Sequence, residues 1–413
     1  MHLFVVDQYP ELDEFAPIIH EINSNSKKKA SIMNMYPVQE IKKYELIKLL
    51  IKKSKINFIN LSSLSLKNFL IIMCLKIFLL FPKFILLRCN RLWFFIFHKL
   101  NFLNIYAIKK LIKKNNIKSI SIGGGLALRY KKILYEACSE NNIKLILYTS
   151  SVEMRKNFDV PDYNELYSHQ IIISDRISSL NKKYDKVRKK IKNLNAARYS
   201  HQWINILEDI NYYKIKDYKI PSTKNEKIKI AIFTRSLFND EEWKIIETKI
   251  NQIPNVEVKL RYKPRGDLSP LSINRQIIGQ NTSSELINWA DIIISHTSSI
   301  LIEAILKNKV IFFPDYLLKD EKYLKNKNNL EYEKYLFEDY SCVIKVNSLS
   351  EMVQNIENFL SKIEIWNKTC FKGRQDFLKK IFGNDFFKEN VNQNYLNFYS
   401  ELEKYKDIKN KIK

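Results

Sequence analysis

The chain has 413 residues, of which 46% are hydrophobic and 27% charged, and its formal net charge is +25. This length exceeds what one hydrophobic core usually organises, so two domains are expected, and the composition excludes collagen-like, repetitive and wholly disordered chains. The five cysteines are widely spaced, without a Cys-x-x-Cys pair. This spacing argues against a disulfide framework and a zinc site, and it favours a reducing cytoplasm.

The first half of the chain alternates short apolar runs with amphipathic ones, beginning at an amino terminus that we predict to be a strand and not a signal peptide. Strands are predicted at residues 3–7, 30–35, 56–61, 117–122, 143–148 and 169–174, and helices at 15–23, 38–53, 105–114 and 128–141. Strands that alternate with helices of this length are typical of parallel β-α-β units in a doubly wound sheet.

A second alternating set follows residues 211–227, a Tyr- and Lys-rich segment that we predict to be a linker. Strands are predicted at 228–233, 256–262, 291–295, 310–313 and 342–346, and helices at 241–250, 283–290, 298–307 and 349–361. The predicted fold is α/β, with two tandem Rossmann-like domains and a cleft between them. The expected domains are residues 1–215 and 225–385, and a C-terminal helical tail, residues 386–413, is expected to cross back over the join.

The positive charge is concentrated in one block of the sequence. Between Glu45 and Glu136 there is no acidic residue, whereas the same stretch contains 18 Lys and Arg residues. Codon bias is one explanation for a Lys-rich chain, but it does not account for an acid-free block. The block therefore predicts a surface that meets an anionic partner, either phospholipid or a polyphosphate.

The most apolar stretch of the chain, residues 69–97, lies inside this block. Lys76 and Lys83 interrupt it, and Pro82 makes one straight helix unfavourable. We predict that an insert at residues 67–100 docks on a membrane surface as amphipathic helices. A buried helix pair and a transmembrane segment are the alternatives.

A polar turn follows the apolar run at 291–295 and begins with His296. Ser298 or Ser299 can cap the next helix, whose free amides would then face the carboxyl edge of the sheet, where α/β folds hold phosphates. Glu303 lies about one turn beyond Ser299, where it can accept hydrogen bonds from ribose hydroxyls. An ordinary capped β-α unit is the alternative.

These residues resemble the nucleotide-binding domain of the GT-B glycosyltransferases, and especially bacterial capsule-polysaccharide and CDP-glycerol glycerophosphotransferase-like proteins. The similarity includes the strand led by Asp291, the two serines, the Glu303-Ala304 pair and the turn at 307–310, where Asn308 and Val310 replace the family's Gly and Pro.

Two further segments extend the resemblance, which spans residues 228–385. Residues 261–267 resemble the family's Lys-Pro-His-Pro turn, with Arg265 in place of the His, and residues 371–385 resemble its closing segment. The resemblance implies a GT-B fold and a nucleotide-activated donor.

A nucleotide diphosphate leaving group needs positive charge and amide donors, and the sequence shows no cluster of acids that would hold a metal. The predicted donor-binding residues are Arg235, Lys263, Arg265, His296, Ser298, Ser299 and Glu303. A solvated loop charge is the alternative for each basic residue, and a structural role is the alternative for His296.

The acceptor side of an inverting transfer needs a general base. The candidates are Asp13 and Glu14, in a loop expected after the first strand, and Glu153, after the strand at 143–148. Gly123, Gly124 and Gly125 allow close approach of an anion to the backbone, although a plain flexible turn is the alternative.

These features imply a metal-independent glycosyltransferase that uses a nucleotide sugar as substrate and needs no cofactor. The expected acceptor is a surface polysaccharide, such as a capsule, or a lipid-linked glycan, and the expected location is cytoplasmic, peripherally attached to the inner membrane. A CDP-alcohol-dependent glycerophosphate or polyol-phosphate transferase and a non-catalytic polyanion-binding protein are the alternatives. Nucleic acid is not an expected partner, because the aromatics of the basic block lie in apolar runs such as 92–97.

Overall fold

The protein is described by a computed structural model, in which the chain forms two compact units. Unit 1 contains residues 1–150, 161–203 and 386–413, and unit 2 contains residues 151–160 and 204–385. The described residues are 1–6, 9–25, 29–34, 50, 52–60, 104–124, 126, 128–149, 167–173, 190–209, 227–234, 240–261, 283–296, 299–319, 335–386 and 388–411.

Each unit is built on a parallel sheet. The strands of unit 1 are β1 (His2–Val6), β2 (Ala30–Asn34), β3 (Asn57–Asn60), β4 (Ser119–Gly123), β5 (Lys144–Tyr148), β6 (His169–Ile172) and β7 (Ile191–Asn193). Those of unit 2 are β8 (Ile228–Phe233), β9 (Val256–Arg261), β10 (Ile292–Ser295), β11 (Val310–Pro314) and β12 (Ile344–Val346).

Ten described helices accompany the strands. They are α1 (Tyr9–Asn25), α2 (Asn104–Lys114), α3 (Leu128–Glu140), α4 (His201–Asp209), α5 (Asp240–Asn251), α6 (Ser283–Trp289), α7 (Ser299–Leu306), α8 (Leu349–Glu357), α9 (Phe359–Phe382) and α10 (Val391–Lys411). Short 3-10 helices are formed by Ala197–Tyr199, Asp315–Leu318 and Leu336–Asp339.

Both sheets are doubly wound. Their strand orders are β3-β2-β1-β4-β5-β6-β7 in unit 1 and β12-β11-β10-β8-β9 in unit 2. The order reverses between β1 and β4, where Val5 pairs with Ile122, and between β8 and β10, where Phe233 pairs with Ser295. Ligands of open α/β sheets bind at such reversals, outside the carboxyl ends of the strands. The predicted α/β fold with two Rossmann-like sheets is confirmed.

The strands are almost continuously apolar because helices cover both faces of each sheet. All five residues of β1 and of β11 are buried, and Trp243 of α5 is fully buried. Two polar side chains in β4 are satisfied inside this core: Ser119 bonds to His2, and Ser121 bonds to Tyr399.

The last helix, α10, belongs to unit 1 although it follows unit 2 in the sequence. The Tyr399 hydroxyl lies 2.7 Å from Ser121 Oγ and 2.6 Å from the Tyr148 hydroxyl, and the Tyr395 hydroxyl donates to the Asn195 carbonyl at 2.6 Å. Burial, followed by the neighbouring phenols, raises the pKa of Tyr148 well above its usual value. These phenols therefore stay neutral and anchor α10 by hydrogen bonds.

Several helices end in a left-handed asparagine. Asn116, Asn142 and Asn308 have φ angles of 47°, 52° and 53°, and the amide after each one bonds to the carbonyl five residues earlier, as in Lys309 N to Ala304 O at 2.9 Å. This is the Schellman arrangement, which glycine usually terminates. Asparagine tolerates the left-handed region, so a chain with only 7 glycines can still form these turns. Asn308 stands where the resembling family has its Gly.

The structure corrects the sequence analysis at three places. α1 begins at Tyr9 and not at residue 15, because Pro10 is compatible with the first turn and an acid there favours the helix start. Asp13 and Glu14 are therefore helical, and their predicted position in a loop is wrong. The edge strand β7 is too short for a periodic pattern, and α9, which covers much of 371–385, was not predicted.

Candidate functional site

The carboxyl edge of the unit 1 sheet has a group of acids on the first turns of α1. This helix follows β1, which lies beside the reversal of strand order. Glu11 and Glu14 are buried, and Asp13 is partly exposed. One partly exposed and two buried carboxylates thus lie where open α/β sheets receive ligands.

Glu14 has an unusual electrostatic environment. It is 8% exposed, and its Oε1 lies 3.6 Å from Nη1 of Arg198, whose Nη2 lies 3.7 Å from Oδ2 of Asp13. Burial raises the pKa of Glu14 to about 7; the Arg198 cation opposes this shift, and the Asp13 carboxylate adds to it. At neutral pH, Glu14 is therefore poised between its acid and base forms, as a general acid or base requires.

Arg198 is fixed by the segment that follows β7. It lies in the 3-10 helix Ala197–Tyr199, next to Ser200, whose hydroxyl donates to the Ala197 carbonyl at 2.8 Å and to Asn392 Oδ1 at 3.2 Å. Asn195, just before this helix, donates from Nδ2 to Glu389 at 2.8 Å. The start of α10 thereby holds the guanidinium beside the acids of α1. Sequence reasoning missed Arg198, because no local pattern links it to α1.

The glycines after β4 lie beside Glu11. A methyl group on Gly123 would overlap the Glu11 carboxylate, so only glycine permits this close approach. The Gly124 carbonyl accepts a hydrogen bond from Lys131 Nζ at 2.8 Å, and burial lowers the pKa of Lys131 while the Glu11 carboxylate opposes that shift. Gly125 lies outside the described residues, as does Glu153. The anion-binding role of the three glycines stays a prediction, and a carboxylate against Gly123 is unfavourable for it.

In unit 2, His296 follows β10 at the reversal of strand order. It is 1% exposed, and its ring centroid lies 5.0 Å from that of Phe313 and 6.5 Å from that of Tyr335. Thr234 follows the neighbouring strand β8 and is also buried. The imidazole is thus held by aromatic packing at the edge where a ligand is expected.

Ser299 and Glu303 lie one turn apart on α7, as predicted. Ser299 is the first residue of the helix and is partly exposed. Glu303 Oε1 accepts a hydrogen bond from Lys307 Nζ at 3.0 Å, in an i,i+4 ion pair whose side chains are mostly buried. Arg235, Lys263, Arg265 and Ser298, the other predicted donor-binding residues, lie outside the described residues.

The described ranges contain no group of three or more His, Cys, Asp or Glu side chains that could hold a metal ion. They also contain no helix that is long and apolar enough to cross a membrane, and the predicted insert at 67–100 lies outside them.

Two parallel Rossmann-like sheets, with a C-terminal helix that belongs to the first unit, define a GT-B type of fold. No protein-family model matches the sequence, and no curated protein is similar to it.

Solved structures show which proteins share this fold. The chain is similar to S. aureus MnaA in its co-structure with UDP, with a TM-score of 0.54, 10% identity and coverage of 97% of each chain. It is also similar to the wall teichoic acid polymerase TagF with CDPG, with a TM-score of 0.52, 11% identity and coverage of 100% of this chain and 89% of that one. At these identities, the likeness shows the fold.

Proposed function

We propose that the protein is a glycosyltransferase that moves a sugar from a nucleotide-sugar donor to a hydroxyl group of a surface polysaccharide or lipid-linked acceptor. The observation that carries the proposal is Glu14, a buried carboxylate with a pKa of about 7 beside the strand reversal of unit 1. The similarity in fold to structures that contain UDP and CDPG supports a nucleotide-activated donor.

Glu14 acts as the general base in this proposal. In an inverting transfer, its carboxylate takes the proton of the acceptor hydroxyl while the hydroxyl oxygen forms a bond to the anomeric carbon. The bond from that carbon to the phosphate oxygen breaks, and the nucleoside diphosphate leaves with the electron pair. A base with a pKa near the working pH combines a large ionised fraction with good proton affinity. Transfer should therefore increase as the pH rises through about 7.

Unit 2 binds the donor in the same proposal, at the carboxyl ends of β8 and β10. His296, Ser299 and Glu303 are the described residues assigned to it, and Glu303, which forms an ion pair with Lys307, accepts hydrogen bonds from the ribose. The predicted residues Arg235, Lys263, Arg265 and Ser298 supply positive charge and a hydroxyl to the diphosphate. We propose that these groups replace a metal and that no cofactor is needed, so transfer should survive EDTA.

Two substitutions separate the two roles. Glu14→Gln should abolish transfer and leave nucleotide affinity unchanged, whereas Glu303→Ala should weaken nucleotide binding by about 1.5 to 3 kcal/mol. Glu21→Gln, in the last turn of α1, is the matched control and should leave both unchanged. Transfer by Glu14→Gln at the wild-type rate would refute the assignment of the base.

Titration with UDP, CDP and GDP tests the donor class. Transfer of glycerophosphate or another polyol phosphate from a CDP-alcohol is the second candidate, and the similarity to TagF with CDPG favours it. Binding of CDP alone would support a CDP-linked donor, and binding of UDP or GDP would support a nucleotide sugar. Binding of none would favour a non-catalytic polyanion-binding protein.

We further propose peripheral attachment to the cytoplasmic face of the membrane through residues 67–100. The support is the sequence, in which apolar runs alternate with basic residues inside the acid-free block. Flotation with liposomes should show stronger binding to anionic than to neutral vesicles, and salt should weaken it. Equal binding to both kinds of vesicle would refute the electrostatic part of this proposal.

A further inference from the structure

One guanidinium group faces two carboxylates on the first turns of α1. Nη1 of Arg198 lies 3.6 Å from Glu14 Oε1, and Nη2 lies 3.7 Å from Asp13 Oδ2. Consecutive residues of a helix point about 100° apart, so the guanidinium must lie between the two side chains to reach both. The planar fork of arginine offers one nitrogen to each acid, whereas the ammonium group of lysine is a single point charge. The contact therefore depends on the geometry of arginine as well as on its charge.

The two carboxylates differ in their access to water. The side chain of Glu14 is 9% exposed and that of Asp13 is 27% exposed, while that of Arg198 is 14% exposed. An exposed acid gains little from a counter-ion because water already solvates it, but a buried carboxylate depends strongly on one. One positive charge is thus shared between a buried acid that requires it and a more exposed acid that requires it less.

The position of Arg198 is set by packing around it. Asn195 and Ser200 lie on either side of its 3-10 helix, and both are hydrogen-bonded to α10, at 2.6 and 3.2 Å. The guanidinium carbon also lies 5.3 Å from the centroid of the Tyr199 ring, which is within the range of a cation–π contact. The two acids alone therefore do not determine where the guanidinium lies.

Other titratable groups near Glu14 come from its own helix and from α10. Glu11 lies one turn earlier on α1 and is buried. Burial and then the Glu14 charge raise the pKa of Tyr395 of α10 well above its usual value, so this phenol stays neutral. Burial raises the pKa of Glu14 to about 7, the Arg198 cation opposes this effect, and the Asp13 carboxylate adds to it.

We propose that Arg198 is a positioning residue for the transfer, which directs the Glu14 carboxylate toward the acceptor hydroxyl, and that Asp13 acts through Arg198 and not as the base. This inference rests on the proposed function, in which Glu14 takes the proton. Without Asp13, both nitrogens of the fork would pair with Glu14 and hold it in its ionised form, which would then be a weak base. With Asp13, one nitrogen goes to each acid, so Glu14 keeps a fixed direction and still has affinity for a proton.

The first test is a titration of Glu14 by carbon NMR, in the full-length protein labelled at the side-chain carboxyl carbons of glutamate. The signal of Glu14 is the one that Glu14→Gln removes, and its midpoint in the wild type should be about 7. Arg198→Gln should raise the midpoint because a counter-charge is lost, whereas Asp13→Asn should lower it because the whole guanidinium then serves Glu14. Lys110→Gln, which removes an exposed cation of α2, is the control and should leave the midpoint unchanged.

The second test is the dependence of kcat on pH. Arg198→Gln should lower kcat at least roughly tenfold at pH 6, because a smaller fraction of Glu14 is ionised. A loss should remain above the midpoint of the variant, where Glu14 is ionised but no longer directed. The KM for the acceptor and the affinity for nucleotides should stay within about twofold of the wild type. Arg198→Lys restores the charge but not the fork, so it should return the midpoint toward 7 and keep the loss above it.

Several results would overturn the proposal. A midpoint that rises in Asp13→Asn, or that stays unchanged in that variant, would show that the two acids do not share the cation. Loss of transfer at every pH in Asp13→Asn would make Asp13 the base. Full kcat of Arg198→Gln above its own midpoint would exclude the positioning role. If Arg198→Gln does not fold, Asp13→Asn decides by titration, because it changes a partly exposed side chain without changing its size.

The titration does not depend on transfer, so this proposal and the proposed function can fail separately. Shifted midpoints in a protein that transfers no sugar from any donor would contradict the proposed function and leave the sharing of Arg198 intact. Transfer that requires Glu14, with midpoints that do not shift, would contradict this proposal alone.

Discussion

The substitution Glu14→Gln tests whether the buried carboxylate is kept at a cost to stability. The pKa of Glu14 is raised from 4.5 to about 7, so the folded protein binds this proton more tightly than the unfolded chain does. The stabilising effect of the proton is complete below pH 4.5 and is lost as the pH rises through about 7. At about 1.4 kcal/mol per pKa unit, ionised Glu14 destabilises unit 1 by about 3 kcal/mol.

Glutamine resembles the protonated acid and does not titrate. The difference in free energy of unfolding between Glu14→Gln and the wild type should therefore be near zero at pH 4.5 and should reach about 3 kcal/mol in favour of the variant at pH 8. Other titrating groups cancel in this difference.

Hydrogen exchange of the β1 and β4 amides is a suitable assay, because it reports the opening of unit 1 separately from unit 2. Glu136→Gln, an exposed site on α3, is the control, and its effect should stay within about 0.5 kcal/mol. A variant that is less stable than the wild type at pH 8 would refute the reasoning. It would show that Glu14 is an ordinary ion-pair partner of Arg198 with too little proton affinity for a base.

Three further predictions concern the backbone of unit 2, each measured by urea unfolding. Gly383→Ala should cost about 1 to 3 kcal/mol, because φ 88° and ψ 162° are essentially restricted to glycine, and an unchanged midpoint would contradict this. Gly373→Ala should also destabilise, since its methyl group overlaps the Tyr340 carbonyl oxygen; overpacking of about 1 to 3 kcal/mol outweighs the roughly 1 kcal/mol gained in helix propensity. Asn308→Ala should cost about 1 kcal/mol, whereas Asn308→Gly should be at least as stable as the wild type, and equal losses in both would exclude backbone strain as the cause.

The sheets were predictable because their signal is local. A strand that is buried on both faces must be apolar along its length, and runs such as 228–233 and 310–314 show this directly in the sequence. The short edge strand β7 and the 3-10 helix with Arg198 depend on tertiary contacts, among them the hydrogen bond that Tyr395 of α10 donates to the Asn195 carbonyl and the one that Ser200 donates to Asn392 of α10. No local pattern encodes such contacts, so these elements were missed.

The candidate site, too, was predictable only where the signal is local. Glu14 was predicted as a candidate general base from its residue type and its position after a strand, but the same reasoning applied equally to Asp13 and Glu153. The distinction between them requires burial and neighbours, which the fold supplies by placing Arg198 against α1. A sequence shows which groups are chemically able to act as a base, and only packing decides which of them has the proton affinity to do so.

The topology of the unit 1 sheet favours different charges at its two edges. In a parallel sheet, the helix that follows each strand starts at the carboxyl edge and ends at the amino edge, so acids at helix starts and lysines at helix ends are favoured by about 0.3 to 1 kcal/mol each. This effect accounts for Glu11 in the first turn of α1 and for Lys113 and Lys114 in the last turn of α2. It does not account for Lys144, which begins β5 and lies outside any helix end. Helix stability therefore explains the acids at the carboxyl edge and the lysines that end α2, whereas Lys144 at the amino edge needs another explanation, such as the solubility that an exposed charge provides.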